Sequence, residues 1–315
     1  MKTRILGLHH VTATVDQAQP DLDFCIETLG LRLVKKTVNF DNHLVYHFYY
    51  GDERGTPGTI WTTFPYHGHG VPIGSKGAGQ VTVTSFSVPA GSLDWWRARF
   101  RAANTGIVEQ PARLGEEVIR VSDPSGLHFE LIGTNRDSRT PWTKNGVDDA
   151  HAIRGIHSVT LTIAAPPKTI EFMQRSLGYE VGAEMEGRTR MTVNGVGPGK
   201  SIDILHAPDA PMARNGVGTV HHVAMAIESE EEQLAIRESL LTAGARVTEV
   251  RDRQYFKSIY FREPGGVLFE IATMAPGFPV DEPLGALGRD LKLPPWEEPN
   301  RSMIEAGLAK ISYRA

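Results

Sequence analysis

Four stretches of the chain alternate apolar and polar positions, and each leads into a helical pattern. The stretches are GLHHVTATV from residue 7, QVTVTSFSV from 80, GIHSVTLTI from 155 and TVHHVAMAI from 219. Alternation with a period of two, rich in β-branched residues, predicts β-strands. The helical stretches that follow are DLDFCIETLGL, SLDWWRARFRAA, TIEFMQRSLGY and EEEQLAIRESLLTAGA. Three of them reach a glycine, a residue that commonly ends a helix.

After each helix the pattern returns to strands, so that every block reads β-α-β-β-β. The sequences DPSG at 123–126 and EPGG at 263–266 are turn signals that join the last two strands of a block as a hairpin. Four such blocks of about 50–70 residues are internal repeats. Blocks one and two (5–134) and blocks three and four (153–274) therefore predict two homologous domains of an α+β fold. The Pro- and Gly-rich tail 275–315, with a short helix near NRSMIEAGLAK, is predicted to wrap around them.

Composition limits the classes of partner and the cellular compartment that we expect for this protein. The 315 residues carry a net charge of -4 and have no Lys/Arg-rich block, which argues against nucleic acid and anionic membranes as partners. We find no apolar run near the roughly 20 residues of a membrane span. Cys25 is the single cysteine, so neither an internal disulfide nor a cysteine zinc cluster can form. We expect a cytoplasmic protein; a homo-oligomer is compatible with the sequence.

A set of potential metal ligands appears when the repeats are aligned on their own motifs. Two β-α-β-β-β units that pair edge to edge form a curled sheet, and alternate residues of their first and last strands line its concave face. The alignment brings His10, Ser158 and His222 into one column and Glu130 and Glu270 into another. One complete set emerges, with His10 from block one and His222 and Glu270 from block four.

Two imidazoles and one carboxylate with three open positions are typical of non-haem Fe(II) oxygenases, and Mn(II) is an alternative occupant. Glu270 lies in the otherwise apolar GGVLFEIAT, where a carboxylate without a partner would be costly. The second cavity, with Glu130 and Ser158, lacks imidazoles and is predicted to be metal-free. The loop 66–79 is glycine-rich and is a candidate lid. Seven other histidines are interpreted as structural: His43, His47, His67, His69, His128, His151 and His206.

The repeats resemble the vicinal oxygen chelate superfamily of glyoxalases, bleomycin-resistance proteins and extradiol dioxygenases, over nearly the whole chain. This resemblance implies four βαβββ modules in two homologous curled-sheet domains. Longer strings are more specific: GLHHVTATVDQAQPDLDFCIETLGLRLVKKTVNFD, GIHSVT, IDILH, VHHVA, YFKSIYFREPGGVLFE and LGRDLKLP. They closely resemble the para-hydroquinone ring-cleaving dioxygenases, the group around 2,6-dichlorohydroquinone 1,2-dioxygenase, in which the metal lies between the first and fourth modules.

The family resemblance also assigns roles to individual residues. It implies Fe(II) binding by His10, His222 and Glu270, in agreement with the repeats. It further implies a surrounding set of catalytic residues: His9, Thr12, His221, Arg253 and Tyr260. Since neighbouring residues of a regular strand point to opposite faces, a local bend would be needed to bring His9 to the same pocket as His10.

The implied chemistry gives each of these residues a task. His9 or His221 would act as acid and base, Arg253 would orient the substrate, and Tyr260 would hydrogen-bond an oxygen at the metal. The alternatives are that Arg253 is a solvated surface charge and that Tyr260 only packs in its strand.

Three functions stay open at this point. The first is an Fe(II)-dependent dioxygenase that opens a hydroquinone-type ring, with an aromatic diphenol and O2 as substrates. The second is a non-redox lyase or isomerase of the glyoxalase kind, which would usually need a fourth, acidic ligand. We expect that ligand at Thr63, which is not acidic. The third is a metal-free binding protein of the bleomycin-resistance kind, which would not require the His–His–Glu set.

Overall fold

The computed structural model describes residues 5–185 and 187–313, and it contains four consecutive βαβββ modules. Module one consists of β1 (Gly7–Val15), α1 (Ala18–Leu22) with a π-helical continuation (Asp23–Thr28), β2 (Arg32–Asn39), β3 (Asn42–Gly51) and β4 (Ile60–Pro65). Module two consists of β5 (Gln80–Val88), α2 (Leu93–Ala102), β6 (Ile107–Glu109), β7 (Glu117–Ser122) and β8 (His128–Gly133).

Modules three and four repeat the same order. Module three consists of β9 (Gly155–Ile163), α3 (Pro166–Leu177), β10 (Glu180–Met185), β11 (Arg188–Thr192) and β12 (Ser201–His206). Module four consists of β13 (Thr219–Ile227), α4 (Glu230–Thr242), β14 (Arg251–Asp252), β15 (Phe256–Arg262) and β16 (Leu268–Pro276). The helix-ending glycines Gly30, Gly178 and Gly244 have φ of 74°, 72° and 84°, the left-handed conformation that a glycine cap adopts.

The modules pair as one with four and two with three. The first sheet has the order β14-β15-β16-β13-β1-β4-β3-β2, and the second has the order β10-β11-β12-β9-β5-β8-β7-β6. The α+β prediction of paired βαβββ modules is confirmed. The expectation that each half of the chain builds its own curled sheet is wrong, while the pairing agrees with a site between modules one and four. As domain boundaries, 5–134 and 153–274 stay a prediction.

Two of the loops between modules accompany this pairing. The loop 66–79 runs beside the loop 207–218, with bridges Ile73 to Val217 and Ala78 to Met212. The two connections therefore cross together from one sheet to the other. Since all four modules share one strand pattern, the pattern itself does not specify which edges meet.

The antiparallel strand pairs that join two modules contain bulges. Each bulge lies one residue before the position that aligns with His10. In the β1–β13 pair, the register skips His9 on one strand and His221 on the other. In the β5–β9 pair, it skips Thr82 and His157. A bulge adds one residue to a strand and re-aims the side chains around it. These bulges supply the local bend that the sequence required at His9.

The tail crosses the sheet of modules one and four. Phe278 packs on Tyr49 with ring centroids 5.0 Å apart. The buried Lys35 ammonium donates to Asp281, at 2.5 Å, and to Glu282. The tail carries 3-10 turns at Phe278–Val280, Leu284–Ala286 and Glu298–Asn300, followed by α5 (Arg301–Gly307), where a short helix was expected. Residues 314 and 315 of the predicted tail lie outside the described residues.

The buried cores of the helices follow the spacing that their sequences predict. In α4, for example, Gln233, Ile236 and Leu240 are buried and lie on one face. One apolar core extends across both sheets, and within it Trp61 of β4 contacts Phe129 of β8 with ring centroids 4.8 Å apart. Across the described residues, every helix is too short or too polar to span a membrane.

Candidate metal centre

Three buried side chains from three strands converge at one point of the first sheet. The Nε2 atoms of His10 on β1 and His222 on β13 lie 3.2 Å apart. The Oε2 atom of Glu270 on β16 lies 3.3 Å from the first and 2.8 Å from the second. The candidate ligand atoms all lie within 4.8 Å of one another. The structure thus brings together the set found by aligning the repeats.

Hydrogen bonds on the far side of His10 define its tautomer. The Nε2 atom of His9 lies 3.2 Å from the carbonyl oxygen of Thr273, which can only accept, so this nitrogen carries the proton. Burial, followed by the effect of His10, lowers the pKa of His9 to about 3, so the ring is neutral and its Nδ1 accepts. That Nδ1 lies 2.9 Å from Nδ1 of His10, which therefore donates. His10 is left with a bare Nε2 lone pair that points to the centre.

The same arrangement recurs at His222. Its Nδ1 atom lies 2.7 Å from Nδ1 of His221. Burial lowers the pKa of His222 below its ordinary value, and burial together with His222 lowers that of His221 to about 3. Both rings are therefore neutral near pH 7. When His222 donates from Nδ1, as His10 does, its Nε2 also presents a lone pair to the centre.

The third group is an ionised carboxylate that is only half satisfied. Burial would raise the pKa of Glu270, and only positive charge at the cluster, from protons on the histidines or from a bound cation, holds it well below its usual value. One carboxylate oxygen accepts from Ser258, whereas Oε2 has no hydrogen-bond partner among the described residues. Three electron-pair donors that face one another without protons repel, and a cation between them relieves the repulsion. The set fits a divalent metal ion.

A pocket of about 200 Å³ opens over this cluster. Its wall is mostly aromatic and histidine side chains from modules one and four. The lining residues are His10, Thr12, Asn39, Phe40, Asp41, His47, Tyr49, Phe64, Tyr66, His221, His222, Arg253, Phe256, Tyr260 and Glu270. Of the residues that the family resemblance implied, Thr12, His221, Arg253 and Tyr260 line the pocket, whereas His9 lies behind His10.

Arg253 and Tyr260 form a pair at one side of the pocket. Arg253 donates from Nε to the Tyr260 hydroxyl at 3.1 Å, and its guanidinium lies 5.3 Å from the Tyr260 ring centroid. The Tyr260 ring is 5.7 Å from that of His222. Arg253 is only 19% exposed, so it is not a solvated surface charge. Tyr260 contributes to the pocket and does not merely pack in its strand.

The structure corrects the interpretation of His47. Its Nε2 atom lies 2.9 Å from Oγ1 of Thr62, and its ring packs between Tyr49 at 4.0 Å and Phe64 at 4.2 Å, inside the pocket. The sequence contained a signal for this position, because alternation along β3 puts His47 on the same face as Tyr49. The other histidines interpreted as structural lie outside the pocket lining: His43, His67, His69, His128, His151 and His206.

The position expected for a fourth ligand also shifts by one residue. Thr12 of β1 pairs with Thr62 of β4, and the Thr62 hydroxyl donates to the Thr12 hydroxyl at 2.9 Å. Thr63 faces the opposite side and donates to Asp21. Thr62, which is also not acidic, therefore takes the expected place, and its hydroxyl contacts Thr12 and His47, which line the pocket. Of the candidate lid 66–79, Tyr66 is the residue that reaches the pocket lining, and bridges tie the loop to 212–217.

Arginines bind the carboxylate at the corresponding place in the second sheet. Glu130 of β8 is bound by Arg113 and Arg120 and accepts from Ser85 at 2.9 Å. Burial would raise its pKa, but the two guanidinium groups lower it to about 2. Ser158 replaces the histidine. That this cavity holds no metal stays a prediction. The two arginines are the partners of its carboxylate, so the carboxylate does not need a metal ion.

Comparison with known proteins gives the family. Residues 155–271 match the model of the Glyoxalase/Bleomycin resistance protein/Dioxygenase superfamily. The chain is 40% identical over 317 residues to a protein of Bacillus subtilis (strain 168) named as ring-cleaving dioxygenase MhqO, covering 100% of this chain and 99% of that one. A crystal structure named as a dioxygenase from Bacillus subtilis subsp. subtilis str. 168 superposes with a TM-score of 0.94 at 40% identity, covering 99% of each chain.

A further relative carries a more specific name. It is a chlorohydroquinone/hydroquinone 1,2-dioxygenase of Sphingobium indicum, 35% identical over 300 residues and covering 93% of this chain and 92% of that one. Paired βαβββ modules with a buried His–His–Glu cluster define a protein of the glyoxalase fold with a candidate metal centre. The chain belongs to the Glyoxalase/Bleomycin resistance protein/Dioxygenase superfamily and, within it, to the ring-cleaving dioxygenases.

Proposed function

We propose that this enzyme opens a hydroquinone-type aromatic ring with O2, using Fe(II) held by His10, His222 and Glu270. The observation that supports the proposal best is the convergence of two imidazole lone pairs and one half-satisfied carboxylate on the floor of an aromatic pocket. Two histidines and one carboxylate leave coordination positions free for substrate, which suits Fe(II), with Mn(II) as the alternative. The Sphingobium relative, named for hydroquinone substrates, supports the choice of ring.

The size and the wall of the pocket favour one small ring. About 200 Å³ is below the roughly 300–1,000 Å³ of pockets that bind drug-sized ligands. Tyr49, Phe64 and Phe256 supply aromatic surface on which a substrate ring can pack. The same side chains exclude water from the centre.

The polar residues of the pocket divide the remaining work. Bound Fe(II), held by His10, His222 and Glu270, would supply binding positions for the substrate and O2 and the redox chemistry between them. His221 lines the pocket as a neutral imidazole whose Nδ1 accepts from His222, so its Nε2–H can donate a hydrogen bond to an oxygen of the substrate. Arg253, tied to Tyr260, orients the substrate and stabilises negative charge on its oxygens. Both atoms of O2 enter the product as one ring bond breaks.

His9 has a different task in this proposal. It lies behind His10 and contacts it through Nδ1, so it acts on the ligand and not on the substrate. Its bond to the carbonyl of Thr273 holds the tautomer that His10 needs for binding metal through Nε2. We therefore assign to His221 the hydrogen bond to the substrate and to His9 a positioning role.

Two observations count against the other functions. The position at which a glyoxalase-like enzyme would place a fourth, acidic ligand holds Thr62, whose hydroxyl is bonded to Thr12. A metal-free binding protein would leave Oε2 of Glu270 buried without a hydrogen-bond partner among the described residues, at a cost of roughly 1–3 kcal/mol.

The test is oxygen uptake after anaerobic loading with Fe(II), with bound iron measured in every sample. Hydroquinones are compared with catechols for the wild type and for His222→Ala. We expect uptake with hydroquinones in the wild type and loss of both iron and uptake in the variant. Iron-loaded wild type that consumes no O2 with any diphenol would refute the proposal.

A further inference from the structure

The positive charge of Arg253 reaches the pocket already paired with a carboxylate from another module. Its Nη1 and Nη2 atoms each lie 3.3 Å from Oδ2 of Asp41. Asp41 belongs to module one and Arg253 to module four, and both line the pocket. Arg251 approaches the other oxygen of Asp41 at 3.9 Å, but it lies outside the pocket lining. The pair therefore closes one side of the pocket mouth.

Asp41 is held in this position by the turn that carries it. Phe40 and Asp41 form the two-residue turn between β2 and β3, and the backbone N–H of Asp41 donates to the side chain of Asn39 at 2.9 Å. Phe40 packs edge-on against Trp296 of the tail, with ring centroids 5.5 Å apart. The turn is thus fixed between module four on one side and the tail on the other.

The charges that face the pocket can be counted. A divalent metal contributes +2, Glu270 and Asp41 contribute -1 each, and Arg253 contributes +1, while the four histidines of the lining are counted as neutral. The sum is +1, which is balanced by one ionised hydroxyl of a hydroquinone. A hydroquinone that also carries a carboxylate would bring a charge of -2. Without Asp41 the sum would be +2, and Arg253 would be free to bind that carboxylate.

We infer that Asp41 is a specificity-determining residue that occupies the Arg253 guanidinium and thereby rejects hydroquinones with a carboxylate on the ring. Asp41 acts by removing an attraction and by adding a like-charge contact, both of which disfavour the anionic substituent. Uncharged substituents meet neither effect. This inference rests on the proposed function and names the substrate class of the same site.

The experiment measures anaerobic binding to the Fe(II)-loaded protein by calorimetry, with hydroquinone and 2,5-dihydroxybenzoate as the two ligands. The variant is Asp41→Asn, and the matched control is Glu238→Gln, which removes the same charge from an exposed position of α4. We expect Asp41→Asn to shift the affinity ratio toward 2,5-dihydroxybenzoate by on the order of tenfold. The control should leave the ratio unchanged, and adding Arg253→Gln to Asp41→Asn should abolish the shift.

A second variant separates charge from shape. Asp41→Glu keeps the carboxylate, so it should retain the wild-type preference for hydroquinone. An unchanged ratio in Asp41→Asn, or an equal shift in Asp41→Glu, would overturn the inference. Wild-type protein that binds iron but consumes no O2 with hydroquinone would instead refute the proposed function, so the two failures are distinguishable.

Discussion

His10 and His222, 212 residues apart in the chain, place their Nε2 atoms 3.2 Å from each other. They reach this distance because β1 and β13 pair antiparallel and each strand bulges at the residue before its histidine. The candidate metal centre therefore joins the first module to the last module. Its stability and the pairing of the two modules depend on each other.

Metal binding should stabilise the fold. A ligand that binds only the folded state adds about 2.7 kcal/mol at a concentration of 100 times its Kd. We expect Fe(II) or Mn(II), added without oxygen, to raise the melting temperature, and a chelator to reverse the rise. Glu270→Gln should lose the response, whereas Glu130→Gln, the corresponding change in the second sheet, should keep it. An equal response in both variants would place the metal elsewhere.

His9→Ala tests whether this histidine positions a ligand. Loss of a hydrogen-bond partner behind a metal-binding histidine typically costs about 10–100-fold in metal affinity. We expect a loss in that range in an anaerobic metal titration, with little change in KM once metal is saturating. His157 occupies the matching bulge of the other sheet, so His157→Ala should bind metal like the wild type. A raised KM with unchanged metal affinity would indicate that His9 acts on the substrate and not on His10.

Much of the fold and the triad could be predicted because their signals are local. Strand alternation and turn residues defined the βαβββ modules, and comparison of the modules with one another singled out His10, His222 and Glu270. The pairing of module one with four could not be predicted from the pattern, because the modules present similar edges. The bulges at His9 and His221 have no residue signature, and a one-residue error in register exchanged Thr62 for Thr63.

Glu130 should make the stability of the protein depend on pH at the acid end. Its pKa falls to about 2 in the folded state from an ordinary value of 4.5, because Arg113 and Arg120 outweigh burial. A lowered pKa stabilises the folded state above about pH 4.5, and this contribution disappears as the pH falls toward 2. Glu130→Gln should therefore destabilise at pH 7, by about 3 kcal/mol, since it leaves buried Arg113 without its charge partner.

Urea unfolding of the wild type and Glu130→Gln at several pH values measures this effect. The difference in the free energy of unfolding should be largest near neutral pH and should shrink as the pH approaches about 3. Glu109→Gln is a suitable control, because Glu109 also pairs with an arginine, Arg97, but is exposed. Its effect should be much smaller than that of Glu130→Gln, because water screens an exposed ion pair. A pH-independent difference for Glu130→Gln would contradict the assignment.

His47 provides the sharpest test of the pocket itself, because repeat comparison gave no reason to select it. Its ring packs against Tyr49 and Phe64 and its Nε2 meets Thr62, yet it is not among the three residues that form the candidate metal cluster. We expect His47→Ala to leave bound iron unchanged and to raise KM for hydroquinone by about tenfold, through lost ring packing and an altered wall. His43→Ala, on the same strand but outside the pocket lining, should change neither quantity. If His47→Ala lost iron with KM unchanged, His47 would support the metal centre and not the substrate.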